Sequence, residues 1–193
     1  YSMPPGSLTS AMQFAHFEFD PEADLLGKGP LSEVFRARDL RLERTVALKI
    51  LSPHAELDPQ ADERFEREAR HTSGLQHPNV AIVYEYGKFP AEPDPNQHIS
   101  PRSYIAMEYL EGRTLDKILK DRSLGFDESL RIALQVTSAL SAVHEKRLIH
   151  RDLKPGNVMV LDDGTVKLLD FGIARSANES SITQHGTLVG TVL

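Results

Sequence analysis

Charged and amide side chains are concentrated in one short segment in the second half of the chain. The segment reads His150-Arg151-Asp152-Leu153-Lys154-Pro155-Gly156-Asn157. Pro155 and Gly156 prevent the preceding amphipathic stretch from continuing as a helix, so a loop of defined shape is predicted. Asp152 could face an incoming hydroxyl group, and Asn157 offers an amide oxygen of the kind that Mg²⁺ accepts as a ligand.

A second acidic group follows at a short distance. Thirteen residues after Asn157 comes Asp170, which is followed by Phe171 and Gly172 and preceded by a short apolar strand. A lone Asp-Phe-Gly is most simply a turn. An Asp and an Asn at this spacing are two hard oxygen ligands, and proteins often hold Mg²⁺ with one or two such groups together with substrate phosphates. The pair therefore favours phosphate chemistry over a plain turn.

A glycine-rich segment between two predicted strands offers a place for phosphate groups. It consists of Gly27, Lys28, Gly29, Pro30, Leu31, Ser32, Glu33 and Val34. Glycine lets the backbone approach a phosphate closely, so that free N–H groups can bind its oxygens. Alone, the segment fits a plain hairpin equally well, and Ser32 holds the position of the third glycine in a full G-x-G-x-x-G pattern.

Two further charged residues lie in predicted secondary structure. Lys49 ends an apolar strand pattern, where a lysine is costly to bury without an anion. Glu68 follows 19 residues later on a predicted charged helix. Taken singly, Lys49 is most simply a surface lysine with a covered aliphatic stem, and Glu68 is a member of a solvated helix face.

The composition excludes several other kinds of chemistry. The chain has 193 residues and a formal net charge of −6, which disfavours sequence-independent nucleic-acid binding. It has no cysteine, which excludes disulfides, cysteine-bound metals and thiol nucleophiles. No apolar run is long enough for a membrane span. The first residue is Tyr1 instead of Met, as expected for a piece of a longer protein.

Hydrophobic patterning predicts a first lobe that is rich in strands. The predicted strands are 34–38, 45–51, 80–84 and 104–109, and one helix is predicted between 58 and 75. Residues 1–16 are predicted to be a flexible lead-in, and the proline-rich segment 88–103 an exposed loop.

The second lobe is predicted to be mostly helical. A short helix is expected at 114–120 and a longer one at 127–145, with Asp127 as its cap. The predicted buried face of the longer helix is Leu130, Ala133, Leu134, Leu140 and Val143. Two short strands are expected around a turn at 162–164.

Together these motifs resemble the protein kinases, in particular the eukaryotic-like serine/threonine kinases of bacteria. The resemblance covers roughly residues 17–193, and five motifs occur in the family's order. Lys154, two residues after Asp152, favours a serine/threonine kinase over a tyrosine kinase. The resemblance implies an α+β, bilobal kinase-like fold, with residues 17–109 as a β-rich N-lobe containing one helix and residues 110–193 as an incomplete helical C-lobe.

The resemblance also implies roles for these residues, with ATP and Mg²⁺ as cofactors. Asp152 would orient the substrate hydroxyl and accept its proton, while Lys154 would neutralise the transferring phosphoryl group. Lys49 would hold the α- and β-phosphates and pair with Glu68. The implied metal ligands are Asn157 and Asp170. The implied nucleotide-binding residues are Leu26, Gly27, Lys28, Gly29, Pro30, Leu31, Ser32, Glu33, Val34, Ala47, Lys49, Met107, Glu108, Leu110 and Met159, of which Met107 holds the gatekeeper position.

Residues 172–193 resemble a kinase activation segment. Arg151 precedes Asp152 and is expected to add a buried cation to the site, which in the family is often neutralised by a phosphate on this segment. Thr183 or Thr187 is the hypothesised autophosphorylation site. Thr191 lies where the family has a threonine that contacts the catalytic loop.

The expected activity is transfer of the γ-phosphoryl group of ATP to Ser and Thr hydroxyls of proteins in the cytoplasm. A pseudokinase that binds nucleotide or a partner is the main alternative, and a small-molecule kinase of the aminoglycoside-phosphotransferase type is a third. No nucleic-acid partner is expected, and membrane anchoring of a longer parent and a dimer for autophosphorylation are left open.

Because the family's Ala-Pro-Glu-like motif and later helices are missing here, this piece alone is expected to be poorly stable or inactive, with an exposed apolar face on helix 127–145.

Overall fold

The first lobe is built on a seven-stranded antiparallel sheet. The computed structural model describes residues 11–52, 60–89 and 102–169. In this part of the chain the sheet has the order β1-β2-β4-β5-β7-β6, and β3 pairs with β4. Its strands are β1 (Met12–Phe14), β2 (Phe17–Phe19), β3 (Leu25–Lys28), β4 (Ser32–Asp39), β5 (Arg44–Leu51), β6 (Val83–Phe89) and β7 (Arg102–Glu108). The predicted β-rich first lobe with one helix is confirmed.

The two faces of this sheet differ because side chains alternate along each strand. Leu48 on β5 belongs to an aromatic-rich core on one face. Lys49 lies on the opposite face, against which helix α1 (Ala61–Ser73) packs. The largest side chains of the aromatic-rich core are Phe14, Phe17, Phe19, Phe35 and Tyr104. Burying each such ring stabilises the lobe by about 1.5–3 kcal/mol, so one face of the sheet holds the lobe together and the other remains available to α1.

The second lobe combines helices with a three-stranded antiparallel sheet of order β10-β9-β8. Its elements are β8 (Gly112–Thr114), α2 (Leu115–Asp121), α3 (Phe126–Glu145), β9 (Val158–Leu161) and β10 (Val166–Leu168). Buried side chains of α3, β9 and β10 form one core, which also includes Leu75 and Val80 from the segment after α1. Among the described residues, no helix is both long enough and apolar enough to cross a membrane.

Asn79 connects the two lobes by hydrogen bonds. Its buried side-chain amide donates to the Gln135 side chain at 2.9 Å and to the Val166 carbonyl at 2.8 Å. Its own carbonyl accepts from the Leu168 N–H at 2.9 Å, and the Ala81 N–H donates to the Leu168 carbonyl at 3.0 Å. Because buried polar groups need partners, this asparagine fixes the segment after α1 against both α3 and β10.

Two predicted boundaries in the first lobe are wrong. The segment 1–16 is not a lead-in throughout, because β1 pairs with β2 and buries Phe14. The strand predicted at 80–84 begins three residues later, at Val83. Val80 makes a single parallel bridge to β10 instead, because it packs in the core of the second lobe.

The predicted loop 88–103 is shorter than expected. Lys88 pairs with Ser103 and Phe89 pairs with Arg102, so β6 and β7 extend into it from both sides. The residues between these pairs lie outside the described part of the chain.

The long helix is close to its predicted position, but only part of its predicted buried face packs against the core: Val143 is buried and Leu140 partly buried there, as predicted. Gly125 is its N-cap, and Asp127 lies inside the first turn. Leu130 and Leu134 are exposed, contrary to prediction, with Leu134 61% accessible. Ala133 is exposed as well. The side chains that α3 buries are Ile132, Ala139 and Val143, because these face β10. The exposed apolar surface that was expected on this helix from the missing later helices is present, and it consists of Phe126, Leu130 and Leu134.

Gly112→Ala is expected to destabilise the second lobe. A Cβ atom there would overlap the Val160 carbonyl oxygen and lie 2.8 Å from the Leu161 Cα, and these are backbone atoms that cannot easily move. We expect the free energy of unfolding to fall by about 1–3 kcal/mol, measured by urea denaturation. Gly74→Ala is the matched control, since nothing lies within 4 Å of its Cβ position. Equal losses in the two variants would contradict this account.

Candidate active site

A buried ion pair joins the sheet to α1. Lys49 donates from Nζ to Glu68 Oε1 at 2.7 Å, and the two residues are only 7% and 8% exposed. The ammonium group also lies 5.9 Å from the centre of the Phe65 ring. A charge taken out of water costs several kcal/mol unless an opposite charge compensates. The fold therefore brings together two residues that are 19 positions apart and lie on different elements.

The strand register places apolar residues on the face that carries Lys49. Residues paired directly across antiparallel strands share a face. Val34 pairs with Lys49, and Ala47, two residues before Lys49, pairs with Met107. Met107 also borders a small cavity between the sheet and α1, together with Glu68. Three of the implied nucleotide-binding residues thus surround the lysine.

The glycine-rich segment forms the turn between β3 and β4. The Gly29 N–H donates to the Ser32 carbonyl at 2.8 Å, which closes the turn at the serine that replaces the third glycine. Lys28 and Glu33, which pair across the two strands, form an ion pair at 2.6 Å. Gly27 pairs with Val34, next to Lys49. The turn therefore lies at the edge of the face that carries the lysine.

The remaining residues of this segment differ in exposure. Leu26 lies at an irregularity in the β3–β4 pairing and is exposed, as is Pro30. Leu31 is partly buried against the cluster that contains α1, and its carbonyl accepts from the Ser52 N–H at 2.8 Å. The exposed residues of the hairpin are therefore those of its tip together with Leu25 and Leu26 on β3. The tip is where a backbone could approach phosphate groups.

Glu108 binds both lobes near the point where the chain passes between them. Its Oε2 accepts from Lys167 Nζ on β10 at 2.9 Å and from the Ile82 N–H at 3.2 Å. The Glu108 N–H donates to the Ile82 carbonyl at 2.8 Å. Lys167 is itself buried. This ion pair therefore sets the separation of the two lobes beside the strand end that carries Met107.

Met159 lies on the first-lobe side of the small sheet. It pairs with Lys167, whose ammonium contacts Glu108, so the two side chains share a face. Its neighbour Val158 is buried in the core on the other face. Leu110, two residues after Glu108, is partly buried. Met159 and Leu110 are thus the implied nucleotide-binding residues that the second lobe contributes.

Hydrogen bonds fix the loop that follows α3. His150 is buried, and its Nε2 contacts the Leu169 carbonyl at 2.9 Å. The Leu169 N–H donates to the Asn157 carbonyl at 2.9 Å, and the Asp152 N–H donates to the His150 carbonyl at the same distance. The beginning and end of the loop are therefore tied to the same residue after β10.

Arg151 is exposed, so the prediction of a buried cation at this position is wrong. Its φ of 61° lies in the left-handed region of backbone conformation, which residues other than glycine rarely adopt. The backbone turns sharply here, which leaves the guanidinium at the surface while its neighbours His150 and Asp152 are at least partly buried. Such a conformation costs about 1–3 kcal/mol and is often found at functional sites.

The Asp152 carboxylate is held by two nearby side chains. Its Oδ2 accepts from Lys154 Nζ at 2.6 Å and from Asn157 Nδ2 at 3.0 Å. The Asn157 amide also donates to the Asp152 carbonyl at 2.8 Å. Both bonds come from the nitrogen of the asparagine, so its Oδ1 is the atom that can accept or ligate. An amide oxygen next to a carboxylate suits a hard cation such as Mg²⁺.

Two consecutive residues connect the ion pair with this loop. Leu168 borders the cavity that Glu68 and Met107 also line, and Leu169 is hydrogen-bonded to both His150 and Asn157. The residue after them is Asp170, which lies outside the described residues. The other predicted residues outside them are Thr183, Thr187 and Thr191.

Sequence reasoning missed two residues that build the site. Lys167 and Asn79 are both buried and polar, and both bind across the lobes. Lys167 carries the same signal as Lys49, a lysine inside an apolar strand pattern. Asn79 has no comparable signal, because its partners are 56 and 87 residues away.

Known proteins share this sequence pattern. A family model described as protein kinase domain matches residues 21–192. The chain is 39% identical over 170 residues to the serine/threonine-protein kinase PknB of Mycobacterium leprae, covering 87% of this chain and 26% of that protein. It is 41% identical over 171 residues to the PknB of Mycolicibacterium smegmatis, with coverage of 87% and 26%. The chain thus spans about a quarter of the length of the curated relatives it matches.

A solved structure shares the fold. The crystal structure of a mutant of the Mycobacterium tuberculosis PknI kinase domain matches with a TM-score of 0.67 and 31% sequence identity. The match covers 86% of this chain and 64% of that one. The bilobal α+β arrangement expected from the sequence is therefore confirmed.

Asn157→Asp is expected to destabilise the protein in a pH-dependent way. It places a second carboxylate against Asp152 Oδ2, and adjacent carboxylates raise each other's pKa in the folded state. The deficit should be smallest near pH 4, close to the ordinary pKa of an aspartate, and should grow as the pH rises from there through the raised pKa of the pair. We expect a loss of about 1–3 kcal/mol at pH 7, measured by urea denaturation between pH 4 and pH 7.

Asn157→Ala is the control for this experiment, because it removes the same donor without adding a charge. Its deficit should vary little with pH. A pH-independent deficit in Asn157→Asp would contradict the geometry described for Asp152.

Proposed function

This chain belongs to the protein kinase domain family, and from that premise we propose that it transfers the γ-phosphoryl group of ATP to Ser and Thr hydroxyls of proteins. The observation that carries the proposal is the connection through Leu168 and Leu169. Leu168 borders the cavity beside Glu68, and Leu169 is bonded to the Asp152 loop. A buried lysine–glutamate pair and a fixed carboxylate are thus joined by one short segment between the lobes.

Each group has a chemical task in this proposal. Lys49 binds the α- and β-phosphates, with Glu68 keeping the ammonium in place. Asp152 orients the substrate hydroxyl and accepts its proton, and Lys154 stands beside it to offset the charge of the transferring group. Positioning and charge stabilisation account for most of the catalysis of phosphoryl transfer, because its transition state is loose and anionic.

The nucleotide would lie between the two lobes. Val34 and Ala47 cover the adenine ring from the first lobe and Met159 from the second, as their strand registers support. Backbone groups of Glu108 and Leu110 would bind the ring edge. Mg²⁺, when bound by Asn157 and Asp170, would neutralise charge on the phosphates. The use of ATP favours a cytoplasmic location.

Serine/threonine specificity is supported by two observations. The relatives from Mycobacterium leprae and Mycolicibacterium smegmatis are named serine/threonine-protein kinases. In this chain, Lys154 donates to the Asp152 carboxylate at 2.6 Å, and a lysine at this position is what the resemblance to that class implies. We propose protein substrates for this reason, with small-molecule transfer as an outcome that the assay below detects.

Asp152→Asn and Lys49→Met are expected to lower phosphoryl transfer at least 100-fold, because proton acceptance and phosphate positioning each contribute at about that level. The assay uses the full-length protein, radiolabelled ATP and a generic basic protein substrate. The matched controls are Asp162→Asn and Lys117→Met, which change the same residue types at exposed positions. Both controls should keep wild-type rates.

Three results would argue against the proposal. Equal signal in wild type and Asp152→Asn would remove the enzyme interpretation. Nucleotide binding without transfer in the wild type would favour a pseudokinase. Transfer to a small sugar in place of protein would indicate a small-molecule kinase.

We further propose autophosphorylation at Thr183 or Thr187, with the phosphate engaging Arg151. Arg151 is exposed and next to Asp152 in sequence, so it is accessible to a phosphate from another segment. Phosphopeptide mapping of ATP-treated full-length protein should find one of these threonines modified in the wild type and neither in Asp152→Asn. If both threonines are unmodified in a wild-type protein that is active, the proposed autophosphorylation is overturned.

A further inference from the structure

Helix α1 has a second polar attachment to the sheet, at Asp62, six residues or about 1.7 turns before Glu68. Asp62, in the first turn, accepts from Lys88 Nζ on β6 at 2.5 Å. Its other carboxylate oxygen accepts a hydrogen bond from Ser103 Oγ on β7. Ser103 is only 1% exposed, and its hydroxyl lies between this carboxylate and the Tyr86 hydroxyl at 3.4 Å. The same carboxylate therefore binds two neighbouring strands.

The two attachments of α1 lie on one face of the sheet. Ser103 and Ile105 are two residues apart on β7 and so share a face. Ile105 pairs directly with Lys49. Asp62 thus contacts β7 at Ser103, two residues from Ile105, which is the β7 residue opposite Lys49. Together the two contacts define how far the helix can rotate and tilt.

The charges support this attachment. Burial tends to raise the pKa of Asp62, but the hydrogen bonds from Lys88 and Ser103 outweigh it and leave the pKa below its usual value. The Asp62 contact in turn raises the pKa of Lys88. The pair is about half exposed, and pairs of this kind stabilise a protein by only about 0–1 kcal/mol. Its main effect is therefore expected on orientation and not on overall stability.

We propose that Asp62 is a positioning residue, which holds α1 in the orientation that brings Glu68 to Lys49. The proposal rests on the proposed function for its kinetic consequences. Asp62 does not touch the reacting groups and acts only through Glu68. Loss of Asp62 should therefore lower the fraction of molecules in which the Lys49–Glu68 contact is formed.

The kinetic test compares variants of the full-length protein. Asp62→Ala is expected to lower kcat about 5- to 30-fold with little change in Tm. Glu63→Ala, which removes the same charge from the exposed side of the same turn, should stay within twofold of wild type. In an Asp62→Lys/Lys88→Asp exchange, activity should recover to within about threefold of wild type, while each single reversal should be impaired.

A coupling measurement separates positioning from a merely structural role. If Asp62 acts through Glu68, adding Asp62→Ala to Glu68→Gln should cost no more than twofold beyond Glu68→Gln alone. Multiplicative losses would overturn the proposal, and so would equal rates for Asp62→Ala and Glu63→Ala.

An activity-independent measurement keeps this test distinct from that of the proposed function. Amide hydrogen exchange of α1 should be faster in Asp62→Ala than in Glu63→Ala, with exchange in α3 unchanged. Unchanged exchange in α1 would overturn the positioning role, even in an active kinase. Absence of phosphoryl transfer in the wild type would remove the proposed function, while faster exchange would still establish the attachment.

Discussion

The structure depends on a lysine and a glutamate that are both buried. Neither Lys49 nor Glu68 is stable in a low-dielectric environment alone, so strand β5 and helix α1 must be held in register for both to be accommodated. This explains why β5 is buried on both faces. The side chains on one face of β5 pack in the aromatic-rich core, and those on the other face pack toward α1. The stability of the first lobe thus serves to keep one ion pair formed.

The second lobe builds its polar cluster in a different way. Asp152, Lys154 and Asn157 lie within six residues and orient one another directly. The residue after β10 then ties both ends of their loop to the sheet. The loop between α3 and β9 thereby carries a preorganised carboxylate, and the hydrogen bonds that fix it come from the second lobe. The contacts of Asn79 and Lys167 bring this finished unit to the ion pair.

This contrast explains what the sequence could predict. The Asp152 loop and the strands around its neighbouring turn were predictable because their determinants are local: a proline, a glycine and a short polar motif. Contacts across the lobes were not, since periodicity does not encode partners that are 56 or 87 residues away from Asn79. Periodicity also predicted only part of the buried face of α3 correctly, namely Leu140 and Val143. Leu130 and Leu134 fit a helical stripe, yet the packing partner β10 selects a stripe centred on Ala139.

The same contrast indicates where control of such a site is physically easiest. The local cluster around Asp152 cannot change without breaking hydrogen bonds inside one loop. The Lys49–Glu68 contact instead joins two elements, so it depends on how α1 is oriented against the sheet. Because the half-exposed ion pair of Asp62 stabilises the fold only weakly, losing that attachment costs little, and the main cost of moving α1 is the separation of the buried Lys49 and Glu68 charges. The proposed catalytic arrangement therefore depends in the first lobe on a contact between distant elements, and in the second lobe on hydrogen bonds within one loop.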